Sequence, residues 1–460
     1  MDTNSENLKN TANNKDDHLS SNNSKNQLAK NIFSLTIVQV SSYALPLISV
    51  PIISRIIGPS NYGIINFAAV FIAYFNLMIS YGFDLTATRK IAKDPFNEKN
   101  RNTVFSEVFY TQCLLFIFAT IVFIILLLTV PQLKAHQNVF VFSYLICLGT
   151  LFTQNWLFQA MQDISLIAFF NLFSKIGFTV AILIVVQKID DYVWQPLVIS
   201  ISQIIVAISC FMWAIKTYKI KFIKIPLKRC FAILWEERTI FFSLVVVNLY
   251  TTTNTFILGL YQNSEQVGFY TAGQRLIIIA QSVLTMPLTM AFYPYIGKAF
   301  GENREAGLKV TQKLIPLIIL FIGLASVIMF ILGPFVISTF YGNKFTPAIP
   351  VFQILTLIPL IGALSNVFGI QIMLNLRMDK LFFRITTFGA ILSILLNFMI
   401  IRRWGFIATA INWLVTELFI MAAMYISLKR RGINPLNIKY FSAFTLNEYM
   451  RTIRRKLFAR

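Results

Sequence analysis

The sequence predicts an all-α polytopic membrane protein: 12 transmembrane helices in two six-helix lobes, with both termini cytoplasmic. Three observations carry this prediction. The 460 residues are 56% apolar and only 13% charged, with a mean hydropathy of +0.67, whereas soluble domains run near 45–50% apolar and about 25% charged. Apolar runs of about the 20 residues that cross a bilayer as a helix recur to the end of the chain. Finally, 32 of the 40 Lys and Arg fall on one side of the topology those runs define, as the positive-inside rule requires of cytoplasmic segments.

In chain order, residues 1–30 are rich in Asn, Ser, Lys and Asp and form a disordered cytoplasmic tail with little to bury. The tail is no signal peptide, because the first apolar run comes late and is too long for one. The runs read as helices over 32–56, 63–82, 104–130, 139–159, 165–186 and 195–214, then 239–260, 268–294, 314–339, 349–371, 383–401 and 406–427. They lack two-residue alternation and exceed the roughly 10 residues of a barrel strand. The N-terminal lobe is thus 31–215, a basic linker occupies 216–238, the C-terminal lobe is 239–428 and a basic tail fills 429–460.

The net charge of +21 would point to nucleic acid in a soluble chain, but its distribution assigns it to topology, so no nucleic acid is expected as a partner. Six cations lie in the outer loops, and two, Lys175 and Arg275, fall inside helices. The Arg402–Arg403 pair is a local violation. Lys216, Lys219, Lys221, Lys224, Lys228 and Arg229 stand among Ile, Phe and Leu in the linker, a pattern that belongs on an anionic inner leaflet, as does the tail with Arg451, Arg454, Arg455 and Lys456. The halves resemble weak parallel repeats, with Gly63 and Gly268 each opening a helix after a hairpin. Transporters built from repeats place their site at the repeat interface.

Cys113, Cys147, Cys210 and Cys230 have no CxxC spacing and read as small hydrophobes. With only two histidines, His18 and His136, there is no ligand set for a metal, and no cofactor is expected. The outer loops are too short to hold the carboxylate pairs or nucleophile settings of a hydrolase or transferase.

Polar groups within the membrane therefore carry the functional signal, since a charge at mid-helix costs about 2.5–3.5 kcal/mol on insertion scales. Lys175 shares one helical face with Asn171, Ser174 and Thr179, either lining a cavity or snorkelling. Arg275 shares a stripe with Thr271, Gln274, Ser282 and Thr285 and serves as a ligand contact or an interfacial ion pair. Asn248, Thr251, Thr252 and Thr255 on helix seven, and Gln39 and Ser42 on helix one, extend the polar surface, though small polar residues also serve helix packing. Glu417 on helix twelve, near Asn412 and Thr416, is a candidate proton carrier or the partner of a buried cation. Glu107 is interfacial. Lys175 and Arg275 favour an anionic ligand such as a pyrophosphate or acidic sugar.

Pro46-Leu-Ile-Ser-Val-Pro51-Ile-Ile-Ser-Arg55-Ile-Ile-Gly58-Pro59-Ser-Asn-Tyr62-Gly63 and Tyr81-Gly82-Phe83-Asp84-Leu-Thr-Ala-Thr-Arg89-Lys90 resemble the first-hairpin signatures of polysaccharide repeat-unit flippases of the Wzx type. Trp156-Leu-Phe158-Gln159 after helix four, and Val267-Gly268-Phe-Tyr270-Thr-Ala-Gly-Gln-Arg275 running into Met286-Pro287 and Pro294, are similar to further signatures of that family. The resemblance spans about 30–430. It departs at Ala160-Met161-Gln162, where family members often carry Gly-Leu-Glu.

The resemblance implies the MATE-like fold of the multidrug/oligosaccharidyl-lipid/polysaccharide exporter superfamily, with two six-helix lobes around a cavity in a bacterial cytoplasmic membrane. It implies flipping of undecaprenyl-pyrophosphate-linked oligosaccharides to the outer leaflet for O-antigen, capsule or related polymers, alongside a polymerase and glycosyltransferases of the same pathway. The expected cavity residues are Lys175, Arg275, Asn171, Asn248 and Gln39. Arg55, Asp84, Arg89 and Lys90 lie at the hairpin mouths as gating or guiding residues, Pro46, Pro51, Pro287 and Pro294 supply kinks, and Glu417 is the candidate for proton coupling. The rivals are a multidrug cation exporter of the same superfamily, which would want acidic or aromatic cavity residues, and a membrane polymerase or glycosyltransferase.

Overall fold

The computed structural model describes residues 48–287 and 292–441. Gln39, Ser42, Pro46, the tail 1–30 and the cations from Arg451 onward lie outside them. The described chain is almost wholly helical, with no strand. Seven of its helical stretches are long and apolar enough to cross a membrane, and Phe169–Val185 is a shorter apolar helix.

Continuous helix is not the same as one crossing. Asp379–Lys429 has 51 residues, which as a straight helix would reach about 77 Å, far beyond a hydrocarbon core of about 30 Å. Gly405 turns it back with φ 56° and ψ −134°. Two pairs show the return: Asn412 donates to Asn397 Oδ1 at 2.7 Å, and a Cβ on Gly389 would meet Ile420 Cγ1 at 2.5 Å. Both pairs centre between Trp404 and Gly405, which marks an antiparallel hairpin with arms matching the predicted 383–401 and 406–427. Helical residues 48–80 are likewise turned at Gly58, whose φ is 76°, near the predicted end of helix one.

Other helices outrun their apolar segments. Glu98–Thr129, Leu227–Tyr261 and Arg304–Tyr341 begin about six to twelve residues before the expected starts at 104, 239 and 314, because polar turns continue a helix wherever side chains cap it. Asn97 and Asn303 do so here, accepting from Asn100 N and Ala306 N. The expected single helix over 139–159 is instead broken into Gln137–Tyr144, Ile146–Phe152 and Asn155–Ala160. Its carbonyls at the last break are taken by side chains: Thr153 Oγ1 donates to Gly149 O at 2.7 Å and Gln154 Nε2 to Leu151 O at 2.8 Å. Irregular backbone at membrane depth needs such internal partners.

The chain forms two compact units. The first comprises Ile72–Gln187 and Val193–Phe242 with the first described residues; the second comprises Pro51–Phe71, Lys188–Tyr192 and Ser243 onward. In the first, Phe83, Phe105, Trp156, Leu157, Phe158 and Phe211 are at the centre of one apolar cluster. In the second, Ile315, Ile318, Val367, Ile372, Met424 and Leu428 form another.

Candidate functional site

In the first unit, Lys175 lies on the helix Ile164–Val185. Phe169, Phe173, Ile176, Val180 and Ile184 are exposed and fall within one apolar stripe. At 100° per residue, Lys175 stands about 140° and Asn171 about 180° from the centre of that stripe. They share their face with Ile182, which is fully buried. Both polar side chains are half-buried, and Lys175 has an interaction partner. Thr179, on the flank of this face, is buried with an unpaired hydroxyl.

The same unit organises the first-hairpin signature. Tyr81 (φ 48°) and Gly82 (φ 86°) turn the chain into Phe83–Ala92. The Tyr81 hydroxyl donates to Leu234 O at 2.9 Å and its ring stacks on Phe241 at 4.3 Å. Thr88 donates to the carbonyls of Asp84 and Trp156, which joins this helix to the Trp-Leu-Phe signature. Of the four residues expected at hairpin mouths, Lys90 is ion-paired with Glu237 at 2.7 Å, while Asp84 and Arg89 are exposed. Asp84 sits in the first helical turn, where the helix dipole favours a carboxylate. Where the family's acid would follow the Trp-Phe-Gln signature, Gln162 occupies a turn at φ 62°. The next residue, Asp163, accepts a 2.6 Å hydrogen bond from Tyr218. Burial, then that bond, raise the Tyr218 phenol above its ordinary pKa. Glu107, expected at the interface, accepts from Arg229 at 2.7 Å.

In the second unit, Arg55 lies over Gly342 and donates to the Thr339 carbonyl. It thereby puts a cation on the C-terminal turn of Arg304–Tyr341, where the dipole is negative. Arg275 is exposed on Ser264–Pro287, with no carboxylate within 4.0 Å among the described residues. Thr255 donates to the neighbouring Gln274 at 3.4 Å. Asn248 is half-buried and donates to Leu244 O at 3.1 Å within its own helix.

Two features of this unit were not singled out from the sequence. First, the helical turns that carry Gly63 and Gly268 cross each other reciprocally: a Cβ on Gly63 would overlap the Ser264 carbonyl, and one on Gly268 would overlap that of Pro59. Pro59 and Ser264 precede the two glycines by four residues each, so the crossing is close to two-fold symmetric. Ser60 and Ser264 pair through their hydroxyls at 2.9 Å. Second, Asn254 Oδ1 accepts from Asn397 at 2.6 Å, Ser393 at 3.2 Å and Asn412 at 3.2 Å, all four residues being buried. Thr416 donates to Asn412 Oδ1 at 3.4 Å, and the adjacent Glu417 is 7% exposed and partnered. A signal existed for this cluster: each asparagine lies about seven or eight residues, or roughly 11 Å of helix, from the end of its hairpin arm.

Comparison with known proteins gives this geometry a context. Residues 28–300 match the family described as polysaccharide biosynthesis protein. A putative O-antigen transporter of Escherichia coli (strain K12) is 28% identical over 404 residues, 88% of this chain and 97% of that protein. A putative O-antigen transporter of Shigella dysenteriae is 24% identical, covering 87% of this chain and 100% of that one. Among solved structures, the lipid II flippase MurJ in an inward closed conformation aligns with a TM-score of 0.65 at 14% identity, over 93% of this chain and 92% of that one. An inward-facing multidrug resistance MATE family transporter of the MOP superfamily aligns at 0.64 and 14% identity, over 87% and 98%. These two likenesses establish the fold, a multi-pass helical membrane architecture of the MOP/MATE kind. The family match covers more than half of the sequence, and the chain belongs to the polysaccharide biosynthesis protein family.

Proposed function

We propose that the protein is a flippase that moves undecaprenyl-pyrophosphate-linked oligosaccharide repeat units from the inner to the outer leaflet of a bacterial cytoplasmic membrane, for O-antigen, capsule or a related polysaccharide. The observation that carries the reading is Lys175: a half-buried cation opposite the exposed stripe of an apolar helix, in a chain similar over 88% and 87% of its length to two putative O-antigen transporters. A charge inside an apolar run is costly, and a pyrophosphate head group is the kind of anion a lysine there would hold. Arg275, free of carboxylate partners among the described residues, is the second proposed contact, with Asn171, Asn248 and Gln39 as polar support.

In this proposal twelve spans form two six-helix lobes with cytoplasmic termini, and they alternate between inward-open and outward-open states. The Gly63–Gly268 crossing is the proposed outer gate, since backbones packed through glycine seal tightly, while the Ser60–Ser264 pair exchanges its partner for water on opening. Arg55, Asp84, Arg89 and Lys90 are assigned to holding or guiding at the hairpin mouths, the ion pair of Lys90 and the helix-end contact of Arg55 favouring holding. Glu417, buried beside a hydrogen-bonded asparagine cluster, is the proposed proton carrier. The polymerase and glycosyltransferases of the same pathway are the proposed partners.

The test is export in cells lacking their own flippase. Lys175→Ala is expected to abolish polymer export while the protein still inserts at normal abundance. Normal export by that variant would overturn the reading. Resistance to cationic dyes conferred by the wild-type chain, with no polymer export, would favour the multidrug alternative on the same fold.

A further inference from the structure

The segment after the helix Trp194–Thr217 has a sequence of alternating kind, Tyr218-Lys219-Ile220-Lys221-Phe222-Ile223-Lys224. The helix ends on Lys219 at φ 51°, and Ile220 N closes the end by donating to Ile215 O at 3.0 Å, a left-handed cap of the Schellman kind. Extended chain then runs to Pro226. The helix Glu98–Thr129 holds this extended run: Lys221 N donates to Asn102 Oδ1 at 3.0 Å and Ile223 N to Ser106 Oγ at 2.9 Å. Four residues of helix rise about 6 Å and two of extended chain about 6.6 Å, so the two spacings match and fix the register. Arg101, buried, adds a 2.8 Å bond to Tyr218 O.

That register sorts the side chains. Tyr218 and Ile220 are buried, while Phe222, 45% exposed, sets its ring edgewise on Phe105 and Phe109 at 5.6 Å. Lys219, Lys221, Lys224 and Lys228 are exposed. The nearby acids are already used, Glu107 and Glu236 by Arg229 and Glu237 by Lys90, and none of the four lysines lies within 4.0 Å of a carboxylate among the described residues. Beside them the first turns of Leu227–Tyr261 expose Leu227, Phe231 and Trp235 on one face, at 65%, 60% and 69%, with the Arg238 guanidinium capping the Trp235 ring at 3.9 Å, and bury Cys230, Ile233 and Glu237 on the other. A solvated basic loop would not display three such large apolar groups in register. Unneutralised lysines beside an exposed apolar stripe match the boundary between phosphate head groups and acyl chains.

We propose that Lys219, Lys221, Lys224 and Lys228 form a docking strip for anionic phospholipid head groups, with Leu227, Phe231 and Trp235 seated among the acyl chains below. The strip is a rigid part of the first unit, held by Asn102 and Ser106, so an anionic leaflet fixes the height and tilt of that unit through it. The strip would serve the protein in this way whatever its cargo.

Trp235 reports on it directly. The full-length protein is placed in nanodiscs containing either brominated phosphatidylglycerol or brominated phosphatidylcholine, and the quenching that disappears in Trp235→Phe is assigned to that indole. The strip predicts that the anionic lipid quenches at a mole fraction lower by at least about fivefold, the weight of one lysine near an anionic surface. The preference should fall at least about fivefold when all four lysines are changed to Gln, persist when they are changed to Arg, and fall in the unmodified protein at high salt. Equal quenching by the two lipids, or a preference that survives both the Gln changes and high salt, would overturn it.

Discussion

Gly63 lies directly against Gly268: a Cβ on Gly63 would come within 2.8 Å of the Gly268 amide nitrogen. Because the obstacle is backbone, no rotamer change relieves it. Gly63→Ala and Gly268→Ala are each expected to destabilise the protein by about 1–3 kcal/mol, the usual cost of overpacking, readable as a lower thermal unfolding midpoint in detergent. If the crossing is the outer gate, Ser60→Cys with Ser264→Cys should form a disulfide that stops export and releases it on reduction. Full export with the disulfide formed would remove the gate.

The asparagine cluster makes a different prediction. Asn254 Oδ1 accepts from three buried donors, so Asn254→Leu leaves Ser393, Asn397 and Asn412 short of a partner. Each unsatisfied buried polar group costs about 1–3 kcal/mol, and the variant should unfold at a clearly lower temperature. Replacing Asn254 and Asn397 together by apolar residues should cost less than the sum of the single changes, as expected of groups in one network.

His136 follows Pro131–Ala135 and precedes Gln137–Tyr144, and burial lowers its pKa below the usual 6.5. The unfolded chain then binds a proton more readily than the folded one, so stability is full above about pH 6.5 and is lost as the pH falls from there toward the depressed folded value. Unfolding midpoints between pH 7.5 and 5.5 should fall more steeply for the wild type than for His136→Gln. Equal slopes would contradict this.

Glu417→Gln separates coupling from structure. If Glu417 carries the proton, the variant should insert normally and lose the dependence of transport on an imposed pH gradient. Retained dependence would assign the coupling elsewhere.

Much of the fold was legible in the sequence because the bilayer forces long apolar runs. The hairpin of Asp379–Lys429 appeared as two runs, 383–401 and 406–427, on either side of Arg402–Arg403, and the signature glycines Gly63 and Gly268 announced their equivalence. Where polar side chains decide the backbone, composition is silent. The breaks at Thr153 and Gln154 depend on bonds to Gly149 and Leu151, and the early starts of helices on caps such as Asn97 and Asn303. The candidate site was legible only as residue type. Lys175 stood out because charge inside an apolar run is costly, but its helical face needed the buried Ile182 and the exposed Phe173 as references. Lys90 was legible as a gating or guiding residue, but its ion-pair partner Glu237, distant in sequence, was not.

The most direct measurement is translocation in proteoliposomes of a fluorescent undecaprenyl-pyrophosphate-linked oligosaccharide, comparing wild type with Lys175→Ala at matched incorporation. The wild type should move the lipid-linked glycan, and the variant should do so at least about tenfold more slowly, the equivalent of losing about 1.4 kcal/mol of charge-assisted contact. A wild-type protein that leaves this lipid in place while moving a cationic dye, or a variant that flips it at the wild-type rate, would contradict it.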